Sequence, residues 1–271
     1  AYYNPTTNEI CFPAAILQPP FFDPNVDEAV NYGGIGGVIG HEMSHGFDDQ
    51  GSQFDKYGNQ NDWWTPADKK NFEARTKVLV DYFSAYEALP GKKINGKLTL
   101  GENIGDNGGL NISFRALQNV LKENPALNKS IDGFTPEQRF FLSWATVWAG
   151  NARPEFVDRQ IKTDPHSPAE ARVNGALPQI DAWYKAFNVK KGDKIAVCGR
   201  NSSQWAAAFL AIITYGAVVV PIQNEFKPEQ IHNIVNHSDA KLLFVGDVVA
   251  TEINTDEMPS LEGVIYLPDF S

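Results

Sequence analysis

The sequence is poor in the features that mark several large classes of protein. It contains only two cysteines, Cys11 and Cys198, and residues so far apart cannot build the disulfide framework of a small secreted domain. No long run of lysine or arginine offsets the formal net charge of −10, which argues against nucleic acid as a partner. The opening residues lack a methionine, a basic region and an apolar segment, so we expect the sequence to begin inside a longer protein.

A long, uninterrupted apolar run is also missing, although one stretch approaches the required length. Trp205–Ile222 carries no charge and is nearly long enough for a membrane-spanning helix. Gly216 interrupts this stretch, Pro221 closes it, and the valines at 218–220 are typical of a strand. We therefore predict a buried helix followed by a buried strand, and no transmembrane segment.

What remains is the composition of an ordinary globular protein, with 42% hydrophobic and 21% charged residues in a chain of 271. This length allows one large domain or two modest ones. An edge strand pair that includes Glu9–Pro13 and a proline-rich crossing at Gln18–Phe22 are expected first. Helical periodicity then dominates up to about residue 187, through Ile39–Phe47, Pro66–Leu89, Gly101–Glu123 and Pro136–Gly150.

Near residue 190 the pattern changes, and short apolar strands alternate with helices. We predict strands at Ile195–Cys198, Val218–Pro221, Lys241–Val245 and Gly263–Leu267, with helices at Gln204–Tyr215 and Pro228–His237. Such alternation indicates a parallel sheet. The boundary is placed within Val189–Lys194, which divides the chain into residues 1–190 and 191–271.

A glycine cluster at Gly33–Gly40 precedes the first strongly predicted helix. It does not fit the dinucleotide-binding pattern G-x-G-x-x-G, because Ile39 stands where the last glycine is required. We predict instead that these small residues let a helix pack closely against its neighbours.

Residues His41 to His45 have the pattern H-E-x-x-H. On a helix, residues four apart project from one face, so both imidazoles can reach one metal ion while Glu42 points to its open position. A catalytic zinc site needs three protein ligands and a water, so the third ligand must come from elsewhere in the chain. Two unrelated histidines on an ordinary helix are the alternative that the motif alone leaves open.

Two carboxylates, Glu102 and Asp106, lie four residues apart on another predicted helix. Such a pair by itself usually belongs to a solvated face. A zinc site with two histidines and a glutamate, however, needs one carboxylate as a ligand and a second that accepts the outward N–H of a ligand histidine. Together with H-E-x-x-H the pair predicts Zn²⁺ as the cofactor.

Three blocks, His41–Asp49, Glu102–Gly109 and His166–Gly175, resemble in order and spacing the signature blocks of the neprilysin-type zinc metallopeptidases. The segments Phe12–Phe22 and Arg139–Pro154 resemble further parts of that family, and the similarity continues without a gap to about residue 190. The resemblance implies an α+β fold with a mostly α, thermolysin-like zincin core and a small edge sheet. It also implies a zinc endopeptidase that cleaves oligopeptides before a hydrophobic residue.

The resemblance further implies individual roles. Glu42 would be the general base, His166 would donate to the oxyanion, and Asp106 would orient His41. Asp48 or Asp49 would orient His45. The implied zinc ligands are His41, His45 and Glu102, and the implied substrate-binding residues are Ala1, Ile16, Phe21, Val38, Val147, Trp148 and Arg172. Arg172 would hold a substrate carbonyl, whereas the apolar residues would line a pocket, with an ordinary core position as their alternative.

The second part resembles a different family. Lys191–Val245 is similar to the N-terminal subdomain of AMP-forming acyl-CoA synthetases. No Ser/Thr/Gly-rich phosphate loop or Walker loop occurs before Ser271, so we expect the tail to bind no nucleotide.

The two resemblances leave three hypotheses for function. These are a zinc endopeptidase acting on peptide substrates, a partial acyl-CoA ligase, and a chimeric fragment that binds zinc without turnover. The peptidase family's upstream helical lid and its C-terminal strand have no counterpart in this sequence. The peptidase resemblance implies a location outside the cytoplasm (periplasmic, membrane-anchored or secreted), and the ligase resemblance a location inside it.

Overall fold

The computed structural model describes residues 1–188, 192–200, 202, 204–206, 208–209, 212 and 217–268. The chain divides into two compact units, Ala1–Ala186 and Phe187–Ser271. The first is mostly helical with two small antiparallel sheets, and the second contains a four-stranded parallel sheet. This agrees with the predicted α+β class, in which a helical part precedes an α/β part.

The first unit begins with a strand pair and continues with helices. β1 (Tyr2–Asn4) pairs antiparallel with β2 (Glu9–Cys11), and β3 (Glu87–Leu89) pairs antiparallel with β4 (Lys92–Lys93). The helices, in chain order, are α1 (Glu28–Asn31), α2 (Gly37–Ser44), α3 (Pro66–Ala85), α4 (Leu100–Glu123), α5 (Pro136–Val147), α6 (Pro154–Thr163), α7 (Ala169–Asn174) and α8 (Asp181–Ala186).

Local sequence signals begin several of these helices. The side chain of Thr65 caps α3, and Thr135 and Gln138 form a capping box at the start of α5. Asp27 caps α1, and its carboxylate also accepts a hydrogen bond from Arg139 of α5 at 3.1 Å. The same carboxylate therefore begins one helix and ties it to another.

A π-helical turn at Tyr32–Gly36 joins α1 to α2 without a break. Glycines fill this turn, continue into α2 and recur on α4. A Cβ atom at Gly40 would lie 2.7 Å from Cα of Gly109, and one at Gly109 would lie 2.4 Å from the carbonyl oxygen of Gly37. Because only hydrogen fits at these positions, α2 and α4 approach unusually closely. The predicted role of the glycine cluster in close helix packing is confirmed.

Apolar side chains of α4 and α5 fill the core behind this helix pair. The most deeply buried are Leu110, Leu117, Phe140, Phe141 and Trp144. The ring of Phe114 stacks on that of Phe141 with centroids 5.3 Å apart, which joins the two helices. The indole N–H of Trp144 donates to the carbonyl oxygen of Arg172 at 3.0 Å, so α7 is fixed to the same core.

The second unit is built on a parallel sheet with strand order β6–β5–β7–β8. Its elements are β5 (Lys194–Cys198), β6 (Val218–Ile222), α9 (Pro228–Ser238), β7 (Leu242–Val245), α10 (Asp247–Ala250) and β8 (Gly263–Tyr266). Buried apolar clusters lie on either side of the sheet, one around Val235 and Leu243 and another around Val197 and Ile212. The alternating pattern predicted a parallel sheet, and the structure contains one with apolar clusters on both faces.

Several predicted bounds differ from the structure. The helix predicted over Pro66–Leu89 ends at Ala85, because Glu87–Leu89 pairs with β4. The short helices α6, α7 and α8 were not predicted. The predicted helix Gln204–Tyr215 and the predicted boundary Val189–Lys194 lie partly outside the described residues. Within the described part of the chain, no helix combines the length and the apolar character needed to cross a membrane.

Candidate metal centre

Two histidines of α2 and its C-terminal turn face each other beside a glutamate of α4. Nε2 of His41 lies 3.0 Å from Nε2 of His45, with the rings edge to face. Oε2 of Glu102 lies 3.1 Å from Nε2 of His41, and Oε1 lies 3.8 Å from Nε2 of His45. One ligand atom from each residue lies within 4.8 Å of the others, and among the described residues this is the one such group able to hold a metal ion.

Asp106 determines which nitrogen of His41 faces this cluster. Its Oδ1 lies 2.8 Å from Nδ1 of His41, and its two oxygens accept from Nε of Arg172 at 2.9 Å and from Nη2 at 2.6 Å. A carboxylate paired with a guanidinium is ionised and can only accept, so Nδ1 of His41 donates. In the neutral ring the lone pair is then on Nε2 and points into the cluster.

Asp48 supports His45 in the same way. Its Oδ2 lies 2.7 Å from Nδ1 of His45, and its Oδ1 accepts the backbone N–H groups of Gln50 at 2.8 Å and Gly51 at 2.7 Å. The sequence left Asp48 and Asp49 open for this position, and the structure places Asp48 there. Two ring lone pairs and a carboxylate thus converge, and only a cation makes that arrangement favourable.

The donor set fits a zinc ion. Zinc bonds to nitrogen and oxygen are about 2.1 Å long, so a tetrahedral ion separates its ligand atoms by about 3.4 Å. The separations of 3.0 Å and 3.1 Å at His41 are within a few tenths of that value. With His41 neutral, the buried Oε2 of Glu102 has no hydrogen-bond donor, and a metal ion would satisfy it.

The charges around the cluster favour a central cation. Burial opposes protonation of His41, but its hydrogen bonds with Asp106 and Glu102 outweigh burial and raise its pKa to about 9. Burial also opposes ionisation of Asp106, yet Arg172 and His41 lower its pKa to about 2. Glu102 is affected in the same sense, because His41 outweighs burial and lowers its pKa. The ionised carboxylates of Glu102 and Asp106 therefore attract a cation to this point, either a proton on His41 or a metal ion in its place.

Glu42 and His166, the predicted base and oxyanion donor, both belong to this region. Glu42 is buried on α2 between the two histidines of the motif. Nε2 of His166 lies 3.2 Å from Oε2 of Glu102. Oδ1 of Asp164 accepts from the His166 backbone N–H at 2.9 Å and lies 2.8 Å from Nδ1 of its ring. Asp164 was missed from the sequence, although an aspartate two residues before a histidine is a recognisable Asx-turn signal.

The predicted substrate-binding residues are placed unequally. Arg172 binds Asp106, and its guanidinium carbon lies 3.9 Å from the centre of a ring of Trp148, so both residues join the site. Val38 is buried on α2 and Val147 ends α5. Between described residues no hydrogen bond or ion pair joins the remaining three to the metal cluster, namely Ala1, Ile16 and Phe21.

The site as a whole defines a class of protein. Two histidines one helical turn apart, a glutamate from a second helix and a carboxylate behind each histidine are the same set of groups as in the His₂Glu centre of H-E-x-x-H metallopeptidases. The chain belongs to peptidase family M13, whose sequence profile matches residues 1–202. A second profile, described as AMP-binding enzyme, matches residues 179–269. Both predicted resemblances are therefore confirmed.

Individual relatives agree with this membership. Neprilysin-1 of Caenorhabditis elegans is 46% identical over 197 residues, which cover 71% of this chain and 26% of that protein. Endothelin-converting enzyme 1 of Homo sapiens is 45% identical over 193 residues, covering 71% and 25%. The crystal structure of the Mycobacterium tuberculosis zinc metalloprotease ZMP1 with an inhibitor is 53% identical, with a TM-score of 0.67 over 70% of this chain and 29% of that one. The chain thus spans about a quarter of the length of these curated relatives.

Proposed function

We propose that residues 1–190 carry the catalytic centre of a zinc-dependent endopeptidase that hydrolyses peptide bonds of oligopeptides. The observation that supports this most is the convergence of the ligand atoms of His41, His45 and Glu102, with each imidazole held from behind by a carboxylate. Membership of family M13 and the similarity to a zinc metalloprotease favour zinc over other metals.

Bound zinc would supply a water of lowered pKa and a Lewis acid for the peptide carbonyl. Glu42 would take the proton of the attacking water and pass it to the leaving amine. His166 would donate a hydrogen bond to the oxygen that gains charge, because its Nε2 lies close to the ligand Glu102. Asp164 would hold the imidazole of His166 in its orientation, and Asp106 would hold that of His41.

We further propose a preference for a hydrophobic residue after the cut bond. Val38, Val147 and Trp148 would contribute to the pocket, together with the predicted residues Ile16 and Phe21. Arg172 would hold a substrate carbonyl, and Ala1 would lie at the substrate edge. The guanidinium of Arg172 is already fixed by Asp106 and Trp148, so it would bind without losing further side-chain freedom.

For residues 191–271 we propose no nucleotide binding, since the sequence contains no phosphate loop. A location outside the cytoplasm, which the peptidase resemblance implies, stays a prediction.

Metal analysis and a cleavage assay on the same purified chain test the proposal. We expect about one zinc per chain and cleavage of a quenched fluorescent peptide before phenylalanine or leucine. A chelator should abolish cleavage, and added zinc should restore it. Exchange of the residue after the cut bond for a charged one should raise KM or lower kcat, whereas equal cleavage would contradict the pocket.

The variant Glu42→Gln separates catalysis from metal binding. Glutamine keeps the size of the side chain but cannot take a proton, so kcat should fall by a factor of about 10²–10⁴ with unchanged zinc content. Substantial cleavage by this variant would contradict the role of Glu42. Zinc binding without cleavage by the wild-type chain would favour the non-catalytic alternative, and ATP–pyrophosphate exchange would favour the ligase.

A further inference from the structure

His166 lies in the segment between α6 and α7, and packing around its exposed side chain does little to fix its position. That side chain is 47% exposed, and its ring partner Asp164 is 42% exposed. An imidazole that stabilises a transition state has to be held to within a fraction of an ångström. The next residue, Ser167, is by contrast only 1% exposed, which makes it the buried anchor of this segment.

Ser167 begins a directed chain of buried hydrogen bonds that leads into α4. Its hydroxyl donates to Oδ1 of Asn103 at 2.8 Å. Nδ2 of Asn103 donates to Oγ1 of Thr99 at 3.0 Å, and the Thr99 hydroxyl donates to the carbonyl oxygen of Asn95 at 3.2 Å. Asn103 and Thr99 are almost fully buried. Asn103 and Thr99 each donate one hydrogen bond and accept another. Removal of any side chain in this series therefore leaves a buried polar atom without its partner.

The position of this chain in the fold connects it to the site. Asn103 directly follows the ligand position 102 on α4, and Ser167 directly follows His166. One turn further along α4, Asp106 binds Arg172 of α7. The segment that carries His166 is therefore attached to α4 at two residues that follow the imidazole, Ser167 and Arg172, and the hydrogen bond between Ser167 and Asn103 is the nearer of the two.

We propose that Asn103 and Ser167 are positioning residues for His166, which set the distance between its imidazole and Glu102 through the hydrogen bond that joins them. This inference rests on the proposed peptidase function, in which His166 stabilises the oxyanion. Neither residue touches the reacting atoms or supplies a zinc ligand. Their loss should therefore affect turnover and leave metal binding and substrate affinity intact.

The first test compares two variants with a matched control. Ser167→Ala should lower kcat by up to about 100-fold, with KM and zinc content unchanged. Thr99→Val, which keeps the shape of the side chain, breaks the chain one step further away and should lower kcat by a smaller factor. The control Ser143→Ala also removes a buried hydroxyl, which donates to the carbonyl oxygen of Val30 at 2.7 Å, and it should leave kcat unchanged.

A double-variant cycle shows whether Ser167 acts through His166. In a His166→Gln background, Ser167→Ala should cause no further fall in kcat/KM, because the group that it positions is already gone. The same fold reduction in both backgrounds would overturn the proposal, since it would indicate a general structural effect.

A measurement that does not depend on peptide cleavage separates this inference from the proposed function. The ring signals of the histidines are recorded in ¹H–¹³C spectra of the full zinc-loaded chain, and the variant His166→Gln assigns His166. Ser167→Ala should move or broaden the His166 signals and leave those of His41 and His45 in place, whereas Ser143→Ala should move none of them. Unchanged His166 signals in Ser167→Ala would overturn the proposal, whether or not the wild-type chain cleaves peptides.

Discussion

Asp106 joins a predicted zinc ligand to a predicted substrate-binding residue. It is 1% exposed, and it accepts from His41 and at two positions from Arg172, whose guanidinium stacks on Trp148. A buried carboxylate is stable in its ionised form only with such partners. One side chain therefore fixes the tautomer of a predicted zinc ligand and also holds the cation proposed to bind substrate.

Separate replacement of Glu102 and Asp106 distinguishes a ligand from its support. Glu102→Ala should lose zinc outright, because the two remaining histidines form an incomplete site. Asp106→Ala should weaken zinc binding by about 10–100-fold, since His41 stays in place but loses its orientation. Competition with a chelator of known affinity measures both values. Equal losses would show that these roles are assigned wrongly.

Asp106→Asn is the matched control for this comparison. Asp106→Ala leaves the guanidinium of Arg172 buried without its partner, which can cost about 3–5 kcal/mol of folding free energy. Asparagine keeps the size and one accepting oxygen, so its zinc affinity should lie between those of the wild type and the alanine variant. Denaturant unfolding of all three separates lost stability from lost affinity.

The two ligand histidines could be predicted from the sequence. The residues that hold them in position could be predicted only in part. A spacing of four residues places His41 and His45 on one helical face whatever the rest of the chain does. The choice between Asp48 and Asp49 depends on where the backbone leaves the helix, and it does so at Asp48, with ψ near −173°. A change of backbone conformation at one residue is beyond what periodicity can specify. The pairing of Arg172 with Asp106 depends on how α7 packs on α4, which the sequence does not show directly.

At the scale of the elements, the glycines of α4 make room for the metal centre as well as for helix packing. A Cβ atom at Gly105 would lie 2.7 Å from the ring of His41, and one at Gly108 would lie 2.2 Å from Oγ of Ser44. These glycines lie on the face that also carries Glu102. Close approach of α2 and α4 is therefore the condition under which the glutamate reaches both histidines.

Gly109→Ala should test this condition. The added methyl group would lie 2.4 Å from the carbonyl oxygen of Gly37 and 2.6 Å from the backbone nitrogen of His41, and neither atom can move unless the helices separate. We expect a loss of about 1–3 kcal/mol in unfolding free energy together with weaker zinc binding.

Gly150→Ala is the control, because nothing lies within 4 Å of a Cβ atom there. Its effect should stay within about 0.5 kcal/mol. Thermal unfolding and zinc titration of both variants are the measurements. Wild-type stability and zinc affinity in Gly109→Ala would contradict the close contact between α2 and α4.

Periodicity predicted the long helices well and their ends less well. The helix α3 ends at Ala85 because the next residues turn back in a hairpin around Gly91, whose φ is +72°. The helical pattern of apolar residues continues across this point, so only the turn residues indicate the hairpin. The helices α7 and α8, of six residues each, offer too few turns for a periodic pattern, and their packing in the first unit decides their conformation. The helix α6 has ten residues with an amphipathic pattern behind Pro154, a signal in the sequence that the prediction missed.

At the scale of the whole molecule, the chain combines sequences typical of two families. The M13 profile matches residues 1–202 and the AMP-binding profile matches residues 179–269, so both describe residues 179–202. The units Ala1–Ala186 and Phe187–Ser271 meet within the same interval. Residues 179–202 satisfy both local patterns. A crossover between two genes in this stretch would preserve the peptidase pattern before it and the synthetase pattern after it.

We propose that the join within Val189–Lys194 is not a natural domain boundary but the product of recombination or assembly. The stretch Lys191-Gly192-Asp193 is compatible with both families, so a crossover there disturbs neither local sequence. Limited trypsin treatment should cut the chain first near Lys190–Lys194, where lysines and a glycine follow closely on the boundary between the two compact units. If trypsin first cut the chain at another site, this result would contradict a linker at the join.

The tail and the source DNA test the same proposal in two further ways. Residues 191–271 lack a phosphate loop, so titration of the full chain with ATP or AMP should show no saturable binding. Sequencing of the source DNA across codons 179–202 should show that the two coding sequences are not continuous in the natural gene. The short pattern that both families share would be the place where they were joined. A contiguous natural read through both parts, together with micromolar nucleotide binding, would mean that an evolved fusion retains a working second unit.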